Sequence, residues 1–296
     1  MRIVLPPTGP PYDGIVDASG GQFTTLQAAD DELDAAAYSC YVKSGTYAAG
    51  LTVATNNALW VIEPGTTIEA AITLSGAGVV LYVGAQSDIQ GLVTLSGDSC
   101  SLICQNGVNL DGILVSGDTC LVDGGGHGTV SDGGTGTEGI KVTGGDGIVQ
   151  NITADTDTGG TKNALAAASD AKERATIKNC KVIDSGGDGA IYLDIADAVV
   201  EGCIILGADT DGVHTRKPRA RIIGNRITAI GSDGIGTAGG SDDSVFIGNV
   251  INGATAETID INSSAENCVA VGNRLDGAVN DSSGTSTVAS NDATAF

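Results

Sequence analysis

Aromatic residues, histidine and positive charge are all scarce in this 296-residue sequence. It holds 3 Phe, 1 Trp, 6 Tyr and 2 His, and its 14 Lys and Arg face 36 Asp and Glu, a formal charge of −22. So acidic a chain repels phosphate backbones and anionic lipid, which argues against nucleic acid and membrane surfaces as partners. No apolar run approaches the roughly 18 residues of a membrane span, so no membrane insertion is expected. Met1-Arg2-Ile3-Val4-Leu5-Pro6-Pro7 breaks before a secretory apolar core forms, and the expectation is a chain without an export signal. Proline, at 6, is too rare for collagen, and no Gly-X-Y period exists. The seven cysteines are odd in number and lack paired CxxC spacing, which indicates neither a zinc site nor a disulfide framework; buried free thiols are expected.

Glycine is abundant, at 45 residues, and 41% hydrophobic content is enough for a sizeable core. From about residue 148 a column recurs: Val149-Gln-Asn151, Ile177-Lys-Asn179, Val200-Glu-Gly202, Ile223-Gly-Asn225, Ile247-Gly-Asn249 and Val271-Gly-Asn273. The spacing predicts that Val149, Ile177, Val200, Ile223, Ile247 and Val271 form one buried inner wall beside a turn of Asn or Gly. A second column runs Asp188-Gly189, Asp211-Gly212 and Asp233-Gly234, each leading to an apolar residue, and Glu257-Thr258-Ile259 continues it. Upstream, Leu74-Ser-Gly76, Leu95-Ser-Gly97, Val115-Ser-Gly117 and Val142-Thr-Gly144 carry the same rhythm.

Units of roughly 20 to 28 residues with short β-branched runs, Asp-Gly and Gly-Asn turns and little helical pattern fit the coils of a parallel β-solenoid. Coils stacked at about 4.8 Å, nine or ten of them, make a rod of roughly 45 Å. Asparagine suits the turn column because it tolerates the left-handed conformation and its amides pair along the stack. The open end of such a rod needs a lid, and Leu26, Ala29, Leu33 and Ala36 recur at helical spacing among acidic residues. The expected organisation is a lead-in over 1–21, a solenoid over 22–279 with a capping helix at about 24–37, and a loose tail over 280–296.

These features, from Gln22-Phe-Thr-Thr-Leu-Gln-Ala-Ala29 through Val42-Lys-Ser-Gly-Thr-Tyr47 to Asn273, resemble the superfamily that holds pectate lyases and bacteriophage tailspikes. The resemblance implies an all-β fold, a single-stranded right-handed parallel β-helix with a short N-terminal capping helix. It implies polysaccharide as the ligand and side-by-side packing into a homotrimer. It does not fix the chemistry, because the superfamily spans lyases, hydrolases, epimerases and inert adhesins.

Ten of the fourteen basic residues fall between Lys162 and Arg226, and Arg216, Lys217, Arg219, Arg221 and Arg226 lie within eleven residues. Stacked beside Lys172, Arg174, Lys178 and Lys181, they would line a groove able to hold an acidic saccharide; the alternative is that they neutralise acidic columns. Arg216-Lys-Pro218-Arg-Ala-Arg221 resembles the RxPxxR catalytic segment of pectate lyases, although the accompanying WIDH-type signature is missing. By that resemblance Arg216 abstracts a proton beside a uronate carboxylate and Arg221 holds substrate, with Lys217 and Arg219 alongside. Such a lyase needs Ca2+. Asp209 and Asp211 would alternate onto one face and Asp188, Asp211 and Asp233 would stack, offering oxygen ligands, unless they serve only Asp-Gly turns. A hydrolase would use two of the same carboxylates. His214, beside the basic stretch, is the acid/base candidate of the two histidines. Three functions follow: a tailspike-like virion protein that binds a host-surface polysaccharide, with or without degrading it, a secreted calcium-dependent lyase, or a purely structural virion component.

Overall fold

The computed structural model describes residues 12–33, 37–131, 138–156, 163–289 and 291–292. Met1 to Pro7, Ala36 and Lys162 lie outside the described residues. The chain winds into about 12 turns of an all-β parallel solenoid. Each turn contributes up to three strands, and each strand pairs in parallel with its counterpart one turn on. One turn shows the order: Ser39–Val42, Thr46–Tyr47 and Leu51–Val53. These begin what we call the leading, middle and trailing stacks, pairing onward to Leu59–Ile62, Thr67–Ile68 and Ile72–Leu74.

Alternation within each strand builds the core. In Ser39–Val42 the Cys40 and Val42 side chains are buried, and the leading stack continues inward through Trp60, Leu81, Leu102, Val122, Val149, Ile177 and Val200. Each fully buried aliphatic of this size contributes roughly 2 kcal/mol. All seven cysteines are buried and free.

The expected inner wall changes sides partway along. Val200 pairs with Ile222, Ile222 with Phe246 and Phe246 with Ala270, so Ile223, Ile247 and Val271 point outward. Ile247 is 41% exposed. The turn column slips by the same single residue. Asn151, Asn179, Gly202, Gly224, Gly248 and Gly272 all sit at positive φ, whereas Cys203, Asn225, Asn249 and Asn273 stand one residue further on and are buried. The turn after Gly202 is one residue shorter than the sequence column suggested, and a one-residue shift exchanges inside for outside in a strand.

Glycine at 76, 97, 117 and 144 has a different cause. A Cβ on Gly97 would lie 2.2 Å from the Gly76 carbonyl oxygen, one on Gly117 2.1 Å from that of Gly97, and one on Gly144 2.1 Å from that of Gly117. This corner of the rod closes only where backbones touch directly.

The N-terminal lid is a helix over Leu26–Glu32, shorter than the expected 24–37. Thr25 caps it by accepting from the Ala28 N–H, and Leu26 and Ala29 face the core. Stacking extends beyond the expected solenoid at both ends. Gly14–Val16 pairs with the leading stack inside the presumed lead-in, and Val279–Asp281 and Thr287–Ala289 add strands in the presumed tail. Those extra turns raise the nine or ten expected coils to about 12.

Candidate functional site

The trailing stack carries the site. Its outward positions pair Ala166 with Tyr192, Tyr192 with His214, His214 with Gly236, and Gly236 with Asp260. Parallel in-register strands bring like positions within about 5 Å, so the Tyr192 and His214 rings stack, with centroids 5.8 Å apart and planes 7° from parallel. Arg216 donates from Nη1 to the Tyr192 hydroxyl at 2.9 Å.

Asp211 fixes the imidazole. Its Oδ2 lies 2.7 Å from His214 Nδ1, and its Oδ1 accepts the Asp233 N–H at 3.1 Å. Asp211 is 7% exposed. Room for this pair depends on Gly236, where a Cβ would lie 2.2 Å from Asp211 Oδ2. With Nδ1 engaged, Nε2 is the ring nitrogen left to act on a ligand, the arrangement in which histidine moves a proton. Asp233 repeats the device one turn on, accepting the Glu257 N–H at 2.8 Å. Burial raises its carboxyl above the ordinary range, and the charges of Asp211, Asp260 and Glu257 raise it further. Further along the face Asn280 donates to Asp260 at 2.7 Å.

The other expected site residues do not converge. Asp188 is out of step with Asp211, because Ala190 adds one residue and Gly189 is the register partner of Asp211. Asp188 is exposed and acts on Arg216 through its charge. Asp209 and Asp211 do not share a face: the chain bends at Asp209 and Thr210, leaving Asp209 exposed and Asp211 buried. Among the described residues no three His, Cys, Asp or Glu side chains gather as a metal site. The donor geometry therefore does not fit the calcium implied by the lyase resemblance.

The basic stretch wraps around a corner of the rod. Arg216 follows the trailing strand Asp211–Thr215, Arg219 occupies the turn at φ 63°, Arg221 opens the leading strand Arg221–Ile223, and Arg226 opens the middle strand Arg226–Ile230. Several of these cations neutralise acids in the turn column. Arg219 holds Asp197 in a fork at 2.6 and 2.7 Å, Arg174 meets Asp146 at 2.6 Å, and Lys172 meets Asp118 at 2.6 Å. Lys217 approaches Asp194 at 3.9 Å. Arg216 is raised above its ordinary value by its bond to Tyr192 and by Asp194 and Asp188, the opposite of what a proton-abstracting arginine requires.

Tyr192 and His214 are 22 residues apart, one turn of the repeat, and that spacing is the sequence signal for their stacking. Gly236 has no comparable signal, since its role depends on where the Asp211 side chain turns, whereas Asp233 stands in the Asp-Gly column.

The family described as right handed beta helix region matches residues 138–293. The chain belongs to the right-handed β-helix family. No curated protein matches it. Among solved structures this β-helix is similar to that of the Dettilon tailspike protein, with a TM-score of 0.55 and 13% identity over 95% of this chain and 60% of that one. The chain thus spans 60% of that tailspike's length, and the likeness concerns the fold.

Proposed function

We propose that this β-helix is a tailspike-like virion protein, part of a tail or surface appendage, that binds a host-surface polysaccharide along its trailing face as a homotrimer. The observation that carries the reading is the parallel stack of Tyr192 and His214, flanked by Arg216 and backed by the Asp211 carboxylate that Gly236 makes room for. Flat rings on a rod's side match the apolar face of a sugar, and a guanidinium and carboxylates beside them supply directional bonds to hydroxyls or acidic groups. The tailspike fold likeness supports the same reading.

Degradation belongs to the same face. His214, oriented by Asp211, serves as the group that moves a proton at Nε2, and Asp233, held toward its neutral form, supplies a second titrating carboxyl. Substrate contacts fall to Arg216, with Lys217 and Asp188 near it; Arg219 and Arg221 sit past the corner. A hydrolytic reading is favoured over the calcium-dependent lyase by the raised Arg216 and by the divergence of Asp209 and Asp211.

The test is incubation with a panel of acidic and neutral polysaccharides, with and without calcium, following binding, reducing ends and ultraviolet absorbance of unsaturated sugar. We expect binding, with any product saturated and calcium-independent. Absence of binding across the panel overturns the proposal, and calcium-dependent unsaturated product replaces it with the lyase.

A further inference from the structure

The outward column of the trailing stack runs on from Tyr192 toward the lid. Ala166 pairs with Lys141, Lys141 with Leu114 and Leu114 with Thr94, and Thr73 and Thr52 follow. A recess of about 390 Å³ opens in this column, with Leu92 and Leu114 as its apolar part and Glu138, Lys141 and Thr143 as its polar part. Leu92 reaches it by lying over Gly112, where an added Cβ would stand 3.3 Å from Leu92 Cδ1. The volume suits one sugar residue, and apolar walls with a few polar groups are the usual make-up of a small-molecule site.

Its polar rim is a loose ion pair. Lys141 Nζ lies 3.3 Å from Glu138 Oε2, with 36% of the lysine and 22% of the glutamate side chain exposed. The ammonium has three donors and the carboxylate two acceptor oxygens, so each keeps capacity for a ligand. The Thr143 hydroxyl donates to the Val115 carbonyl at 3.4 Å, which leaves its oxygen able to accept. Lys141 stands two turns from Tyr192, about 10 Å at the spacing of stacked strands, a gap that a short run of linked sugars bridges. Between them Ala166, 1% exposed, projects only a methyl group, so the column stays low.

We infer that this recess is a second saccharide subsite, and that it takes an N-acetylhexosamine residue of the same polysaccharide chain that stacks on Tyr192 and His214. An acetamido group carries an N–H donor, a carbonyl acceptor and a methyl group. Glu138 supplies the acceptor, Lys141 the donor, and Leu92 and Leu114 the apolar contact, so every part of the group meets its complement. A uronate in the same place would face the Glu138 carboxylate, and an unsubstituted hexose would bring no methyl to the leucines. The inference rests on the saccharide face of the proposed function. To that face it adds the sugar selected and the direction of the chain, which runs along the rod axis.

The test is binding of the saccharide panel, some members carrying N-acetylhexosamine and others built of hexose or uronate alone, to wild type, Leu114→Asn and Glu138→Ala. Tyr192→Ala serves as the control for the shared face. Saccharides with N-acetylhexosamine are expected to bind wild type most tightly, and each recess variant to weaken them by about tenfold, the worth of one hydrogen bond to a charged group. Glu138→Ala touches only the rim and guards against a folding defect in Leu114→Asn. Binding that depends on Tyr192 but does not favour N-acetylhexosamine overturns the inference and leaves the saccharide face standing. So does an affinity for N-acetylhexosamine that Glu138→Ala leaves unchanged. Absence of binding across the panel overturns the proposed function and the inference with it.

Discussion

Burial and three neighbouring acids hold the Asp233 carboxyl above its ordinary range, and this has a consequence for stability. Its pKa is higher folded than unfolded, so between those two values the native state binds the extra proton and stability falls as pH rises through that window. At neutral pH the ionised side chain opposes folding. Asp233→Asn keeps the acceptor for the Glu257 N–H and removes the charge, so it is expected to raise the melting temperature near pH 7 and to change it little near pH 3, where the carboxyl is protonated in both states. Equal effects at both values would show that the charge is not the cause. Single residues were unevenly legible in the sequence. His214 and Asp211 were each legible as candidates, one as an acid/base beside the basic stretch and the other in the Asp-Gly column, but their bond to each other was not. Gly236 gained its meaning only from the turn of the Asp211 side chain, and Asp233, already visible in the Asp-Gly column, from its bond to the Glu257 N–H.

Between elements, the buried amide column is the clearest device. Asn249 accepts from the backbone N–H and from the side-chain amide of Asn225, both at 3.0 Å. It donates to the Ile222 carbonyl at 2.9 Å and to Asn273 Oδ1 at 3.0 Å, and Asn273 repeats the pattern onto Asn291. Asn249→Ala orphans groups on both neighbouring turns, and since each buried unsatisfied group costs about 1–3 kcal/mol, a loss of about 3 kcal/mol or more is expected in denaturant unfolding. A loss below about 1 kcal/mol would mean that water or repacking satisfies the column. The repeat itself was plain in the sequence, as were the lid helix and the solenoid it closes. The inward set was not, because Ile-Gly-Asn in the later turns looks like Val-Glu-Gly in the earlier ones while standing one residue out of register. Only the pairing of Val200 with Ile222 reveals the slip.

At the scale of the whole rod, sequence proximity and spatial proximity part company. Five cations within eleven residues look like one groove, yet a coil turns a corner inside that stretch and distributes them over three stacks. Arg219 neutralises Asp197, and Arg216 bonds to the Tyr192 hydroxyl, whose ring stacks on His214. The trailing face gathers Tyr192, His214, Arg216 and Asp211, and it is there that the proposed function puts the saccharide. The most direct measurement is the affinity of wild type and Tyr192→Ala for a saccharide that the panel shows to bind. Loss of the stacking surface is expected to weaken binding by about tenfold, roughly 1.4 kcal/mol, with circular dichroism and assembly mass unchanged. Undiminished affinity in Tyr192→Ala would contradict the account and place the saccharide elsewhere on the rod.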